Sequence, residues 1–380
     1  MFSVVYAFIL LFTGTLADKY SRRFLLGLTG ICWSVTSILT CYSKSVYTFA
    51  IYRFLLGVFE AFFPPSAYSL IPDYFPPSYR ARANAILALG TVLGNGLASI
   101  STLIINSVGW RRTYFLVGAL GVLFGVLVLL FVKDPERGRF DPKKQQLPRQ
   151  SASKSQQIAQ PSACASLFIG FNALVSNKCG RWCMLGGLCR YWQAYTMIYF
   201  SISYFAFYKM PVQYGLWNAF SVSVGGFSSS MIAGIISDKF EKRNYMTKAY
   251  VAVVMSVNSV FTSMVLFLFT RSFAFSMTFV FLNSLLCEGW APPVMTMIQT
   301  VIPVEKKAAA IGAFKFSNTM SGTFASIVVG MLISSLNINP DVSQDQQKLG
   351  FVLAANSMVP SFFAALCFYR AGTYYTPQKV

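Results

Sequence analysis

Five charged residues interrupt stretches that are otherwise apolar: Arg53, Glu60, Arg190, Glu288 and Lys315. A charged side chain at the centre of a bilayer costs about 2.5–3.5 kcal/mol on insertion scales, so such residues face a protein interior or a polar cavity. Arg53 and Glu60 are seven positions apart, two helical turns, which puts them on one helix face about 10 Å apart along the axis. A carboxyl in a low-dielectric cavity resists ionisation and a neighbouring Arg restores it, so Glu60 is a candidate proton or substrate group. The alternative role for the pair is an ion-pair lattice that holds helices together. Glu288 sits near the middle of its own segment. Arg190 and Lys315 lie about two turns inside the ends of theirs, where long side chains can snorkel to the headgroups. Three cations against two carboxylates leave an excess of positive charge suited to an anionic cargo headgroup.

Other chemistries are absent from the sequence. There is no His, so imidazole catalysis and imidazole metal sites are excluded. The eight Cys are scattered, and Cys179 and Cys183 are four apart without redox or zinc spacing. No nucleophile elbow, phosphate-binding loop or nucleotide-binding domain occurs. Neither an enzyme nor a pump driven by ATP is expected, nor any cofactor or metal.

The elements that position the charges are helices in a membrane. Hydrophobic residues make up 55% of the 380 and charged residues only 11%, against about 25% charged in a soluble domain. Eleven helix-length apolar segments recur, at about 1–17, 24–42, 46–71, 83–107, 113–132, 182–207, 213–236, 248–269, 273–299, 308–335 and 349–369. Helices satisfy their own backbone in lipid, and the period-two pattern of a barrel is missing. The fold class is all-α and polytopic. A net charge of +19 suggests nucleic acid at first sight, but the basic residues sit in short loops between spans. If the loop 18–23 is cytoplasmic, inside loops hold 22 of the 31 Lys and Arg, and outside loops hold six. That bias fixes orientation, with a cytoplasmic C-terminus. The domains read as an N-terminal bundle at 1–133, a polar cytoplasmic linker at 134–181, a C-terminal bundle at 182–370 and a tail at 371–380.

The halves repeat a pattern. Gly14, Asp18, Arg22 and Arg23 follow the first segment; Gly234, Asp238, Lys242 and Arg243 follow the seventh. Glu60 with Pro64-Pro65 is matched by Glu288 with Pro292-Pro293, and each is followed by a basic pair, Arg80 and Arg82 or Lys306 and Lys307. Parallel repeats of this kind are a transporter architecture with its site near the midplane. The chain resembles the major facilitator superfamily, with Ser21 where the family loop motif has Gly. The residues have plain physical roles: Gly permits close helix approach, Asp caps a helix N-terminus, and the Arg pair tethers a cytoplasmic gate.

The N-terminal half further resembles spinster-type transporters. Arg53-x3-Gly57-x2-Glu60-Ala61, Asp73-Tyr74-Phe75-Pro76 and Arg80-x-Arg82-Ala83 carry the likeness, with Trp110-Arg111 and Lys133-Asp134-Pro135-Glu136-Arg137-Gly138. Val58 stands where that family usually has Gly. The resemblance implies a plan of twelve helices, entered here at the second, and alternating access. It also implies lysophospholipid or sphingoid-lipid cargo, proton coupling and the lipid bilayer as partner, without nucleic acid. A small organic anion or sugar-like solute is the alternative cargo, and a transport-inactive membrane scaffold the alternative role.

Overall fold

The computed structural model describes residues 2–140, 163–241, 243–269, 272–338 and 345–375. Its first half holds α1 (Phe2–Lys19), α2 (Arg22–Cys41), α3 (Val46–Glu60), α4 (Phe63–Tyr74), α5 (Arg80–Val108) and α6 (Trp110–Phe131). A short helix, α7 (Ala163–Ser176), precedes the second half. There follow α8 (Lys178–Ala206), α9 (Pro211–Phe220), a π-helical turn (Ser221–Gly226), α10 (Phe227–Phe240) and α11 (Thr247–Leu268). The last four are α12 (Phe273–Cys287), α13 (Ala291–Val301), α14 (Lys307–Ser335) and α15 (Asp345–Thr373). Among the described residues there is no strand.

Among the described residues, eight segments are long and apolar enough to cross a bilayer. The expected spans outside that set are α1, α5 and α8. Two of them face the opposite half: α1 packs along α14, and α5 along α10. A helix buried against protein needs less apolar surface than one facing lipid, which suits the polar and charged residues of α5 and α8.

Two expected single spans are each a broken pair. Pro64-Pro65 and Pro292-Pro293 have no N–H to give the preceding turn, so the helix stops at Glu60 and again at Cys287 before resuming. Side chains from other helices bond to carbonyls at both breaks, at Ala61 the one that Pro65 leaves free. Thr13 donates to Ala61 O at 2.9 Å, and Arg190 Nη2 donates to Cys287 O at 2.8 Å. Glu60 and Glu288 therefore stand at helix interruptions, not in the middle of regular helices.

The 134–181 linker is shorter than the sequence implied. Asp134 to Gly138 are hydrogen-bonded into the first half, and α7 is an ordered apolar helix ended by Asn177, whose side chain accepts from Gly180 N at 3.0 Å. Fourteen apolar residues are too few to span, which is why the sequence reads as a loop there. Residues 141–162 lie outside the described residues. The tail also begins later than position 371: α15 continues to Thr373, and Tyr375 is buried.

Within the first half the tightest packing is α2 on α6, where glycines let the backbones meet. A Cβ on Gly125 would lie 3.0 Å from Ile31 N and 3.3 Å from Gly27 O. Replacing Gly125 by Leu is expected to force these helices apart, at a cost of about 1–3 kcal/mol. The check is a lower thermal unfolding midpoint in detergent, while Gly90→Leu, facing open space, leaves it unchanged.

Candidate functional site

The two halves hold each other at one end by the same device used twice. The Asp18 carboxylate, at the end of α1, accepts from Ala308 N at 3.1 Å and Ala309 N at 2.9 Å in the first turn of α14. The Asp238 carboxylate, at the end of α10, accepts from Ala81 N at 3.2 Å and Arg82 N at 2.9 Å in the first turn of α5. Each carboxylate satisfies N–H groups that have no partner inside their own helix, and sits at the positive end of that helix dipole. Gly14 and Gly234 sit one turn earlier, where a Cβ would meet Ala308 O at 2.7 Å and Ala81 O at 3.0 Å. Both repeated Gly–Asp pairs thus lie at the contact between the halves.

The basic members of the repeats do something else. Arg22 is buried within the first half, 2.5 Å from Asp73 and hydrogen-bonded to Asp134 Oδ1 through Nε at 3.0 Å and Nη2 at 2.8 Å. It also donates to the carbonyls of Ser69 and Pro135. Arg23 Nε donates to Leu129 O at 2.8 Å. The expected Arg tether across the gate is therefore a clasp joining α2, α4 and the exit of α6. The reason is geometric: Arg22 opens α2, and its side chain reaches the carboxylates at the ends of α4 and α6. Arg137 closes the clasp by donating to the carbonyls of Ala17 and Tyr20 at 2.9 Å. Burial, then the charge of Arg22, pulls its guanidinium below the usual range. In the second half Lys242 lies outside the described residues and Arg243 lies over the Phe240 ring. The corresponding ion pair is Lys248 with Glu241, to which Tyr375 donates at 2.9 Å.

Further in, a buried amide cluster spans both halves. Asn84 Nδ2 donates to Thr296 Oγ1 at 2.9 Å and to Gln299 Oε1 at 2.8 Å, and Gln299 Nε2 donates to Tyr68 O at 2.8 Å. Sequence reading passed over Asn84 and Gln299 because they are uncharged. Their signal was an amide in each of two helices that follow or precede a basic pair.

The five charged candidates divide into groups. Lys315 does not snorkel; its Nζ is 3.0 Å from Tyr191 OH and lies over the Tyr68 ring, 5.1 Å from the centroid. Tyr68 belongs to the first half and Lys315 to the second, so this ammonium sits between them. Arg190 points inward too: it is 1% exposed, bonded to Cys287 O and 5.7 Å from the Trp290 ring. Its Nε and Nη1 have no hydrogen-bond partner among the described residues. Both side chains turn inward because aromatic faces, a tyrosine hydroxyl and the Cys287 carbonyl there replace the headgroups. Glu288 lies within electrostatic range of Arg190. Arg53 does not reach Glu60 through an ion pair; it is hydrogen-bonded to Tyr114 OH and lies against the Phe49 and Tyr114 rings. Glu60 lies within electrostatic range of Arg53 and of Tyr6 in α1. Tyr68, Tyr191 and Tyr195 also lie within electrostatic range of Tyr6. No cluster of metal-ligating residues occurs among the described residues.

Two repeated helical halves, each capping a helix of the other and enclosing buried charge, define a membrane transporter. The profile of the Major Facilitator Superfamily matches residues 1–326, and the chain belongs to that superfamily, whose members are transporters and not enzymes. It is 22% identical over 381 residues to an MFS-type efflux pump of Mycolicibacterium smegmatis, covering 98% of this chain and 82% of that protein. It is 26% identical over 351 residues to protein spinster homolog 1 of Xenopus tropicalis, covering 87% of this chain and 64% of the homologue's length. Among solved structures it resembles a bacterial homolog of the human lysosomal transporter Spinster, in an inward-facing and unoccupied conformation. The TM-score is 0.61 at 19% identity, over 98% of this chain and 88% of that one. The human organic anion transporter MFSD10 matches with a TM-score of 0.57 at 15% identity, over 96% of this chain and 82% of that one.

Removing one partner of a buried ion pair leaves the other charge uncompensated, at a cost of about 3–5 kcal/mol. Arg22→Ala is expected to destabilise the first half on that scale, by stranding Asp73. Arg23→Ala, which loses only bonds to a carbonyl, is expected to cost far less. Thermal unfolding of the two purified variants checks the order.

Proposed function

We propose that the chain is a secondary active transporter in which the halves rock about a midplane site, with the basic end in the cytoplasm. The observation that carries this is the double cross-cap. Asp18 and Asp238 join mobile halves through bonds that can be made and broken as units, and both lie at the end where Lys and Arg accumulate. The site is the region between Glu60 and Lys315, lined by Tyr6, Tyr68, Tyr191 and Tyr195. Phenol hydroxyls and an ammonium suit an anionic headgroup, and the surrounding aromatic surface suits an acyl chain. Lysophospholipid or sphingoid lipid is the cargo this favours, in keeping with the spinster relatives. The second reading, a small organic anion, draws on the two free donors of Arg190 and on the fold shared with MFSD10.

Protonation links the site to an energy source. Neutral Glu60 loses its long-range attraction to Arg53, which changes which conformation is favoured. Glu60→Gln is expected to fold and insert but to lose the pH dependence of labelled lysophospholipid uptake into proteoliposomes, and Arg53→Ala to lose anionic cargo. Equal uptake by Glu60→Gln and the parent at two internal pH values makes Glu60 structural. No uptake of lipid or small anions by the parent leaves the scaffold role.

The gate has its own test. Asp18→Asn and Asp238→Asn weaken charge-assisted bonds by about 1–3 kcal/mol. Thiol reagents added from the cytoplasmic side are expected to reach the midplane faster in each variant. Unchanged labelling in both reduces the repeated motif to a turn.

A further inference from the structure

Helix α7 plays no part in the lock or the midplane site, yet it is packed against both sides of the α1–α14 seam. It contacts α14, α8 and α1. Gly170 approaches so closely that a Cβ there would lie 2.3 Å from Ala309 O. Ala309 is the residue whose N–H is held by Asp18 at 2.9 Å. The first turn of α14 is therefore gripped from two directions, by α1 through Asp18 and Gly14 and by α7 through Gly170. A few residues along, Phe316 of α14 meets the Phe8 ring of α1 at 5.7 Å and the Phe171 ring of α7 at 5.8 Å. Leu174 completes the anchor and is fully buried.

The outer face of α7 is open and mixed, with Phe168 and Val175 beside Asn172 and Ser176, whose hydroxyl donates to the Asn172 amide oxygen at 2.9 Å. Phe168 is 71% exposed and Val175 42%, beside a shallow cleft of about 440 Å³ lined also by Ile169, Phe171 and Asn172. With 14 residues the helix is ~21 Å long, too short to cross a bilayer. Its C-terminal end enters α8 at Lys178, and its middle lies beside the first turns of α14. It is therefore placed at the basic face of the membrane, along the lipid boundary that the neighbouring spans share. An open face that mixes large apolar side chains with polar ones at that depth is the arrangement of an interfacial helix.

We propose that α7 is a lipid-seated strap that holds the α1–α14 seam closed, its inner face clamping α14 onto α1 and its outer face lying in the acyl boundary of the basic leaflet. The strap rests on the reading that this seam opens during transport. It works by addition: opening the seam breaks the α7–α1 contact and the Phe8–Phe316 contact together with the Asp18 cap. Because α7 is continuous with α8, it stays with the second half when α1 departs.

The test uses the full chain in phosphatidylcholine nanodiscs, with its eight cysteines replaced and spin labels at positions 20 and 305 across the seam. Gly170→Leu is expected to raise the ratio of wide to narrow distances about tenfold, with Phe171→Ala giving a shift in the same direction. Phe171→Ala adds no volume, so it decides the matter if Gly170→Leu does not fold. Asp18→Asn serves as the comparison. If Asp18→Asn widens the seam and the α7 variants that fold do not, the strap is overturned while the gate stands. If none widens it, both readings fall. For the outer face, a fluorophore at position 168 is expected to be quenched by bromine-labelled acyl chains and protected from aqueous iodide. The reverse pattern overturns the lipid seat.

Discussion

An α-helix begins with N–H groups that its own ladder cannot satisfy, and in a membrane protein water is not always at hand to do so. The organisation of this chain depends on where those groups at the starts of α5 and α14 find acceptors. Each finds a carboxylate supplied by the other half, Asp238 for α5 and Asp18 for α14. The halves are thereby joined through backbone, and the bond has the directionality of a cap and not the looseness of a surface ion pair. The clasp of Arg22, Asp73 and Asp134 is subordinate to this: it fixes the start of α2 and the end of α4. The turn that carries Asp18 consequently leaves α1 at a set angle.

The paired prolines produce a second constraint of the same kind. They interrupt the third and ninth expected spans next to Glu60 and Glu288, and carbonyls at the breaks accept from Thr13 and Arg190. Charge, helix break and inter-helix hydrogen bond occur together because each makes the others affordable in a low-dielectric interior. Lys315 lies between the halves at Tyr68, and the Gln299 amide holds the carbonyl of that same tyrosine. The contact between halves thus runs from the caps inward to the half-buried ammonium of Lys315.

Much of this architecture was legible in the sequence. The spans followed from apolar length, the two halves from the Gly–Asp and Glu–Pro-Pro repeats, and the superfamily from both. The sequence indicated which residues were unusual but not what they faced. Arg53 and Glu60 share a helix, and periodicity alone put them together; the aromatic ring of Tyr114, on a helix far along the chain, took the guanidinium instead. Arg190 and Lys315 were near enough to the ends of their helices for snorkelling, and only tertiary packing shows that tyrosines and the Cys287 carbonyl offered a nearer partner. Asn84 and Gln299 were invisible to a search for charge. Helix α7 was hidden in a linker because it is shorter than a span and is stabilised by neighbours that sequence cannot display.

The π-helical turn at Ser221–Gly226 bears on the lock from a distance. A wider turn takes up one residue more than an α-helix does, so all that follows is rotated by roughly 100° about the axis relative to an uninterrupted helix. Asp238 lies beyond that turn on the same continuous rod, so its azimuth is set by the bulge as well as by its own place in the motif. The two caps look symmetric, but they are phased differently: α1 aims Asp18 with regular helix geometry, and α10 aims Asp238 with a built-in offset. Any motion that tightened the bulge into α-helix would turn the second carboxylate away from α5 and lengthen the rod by about 1.5 Å, without bending it.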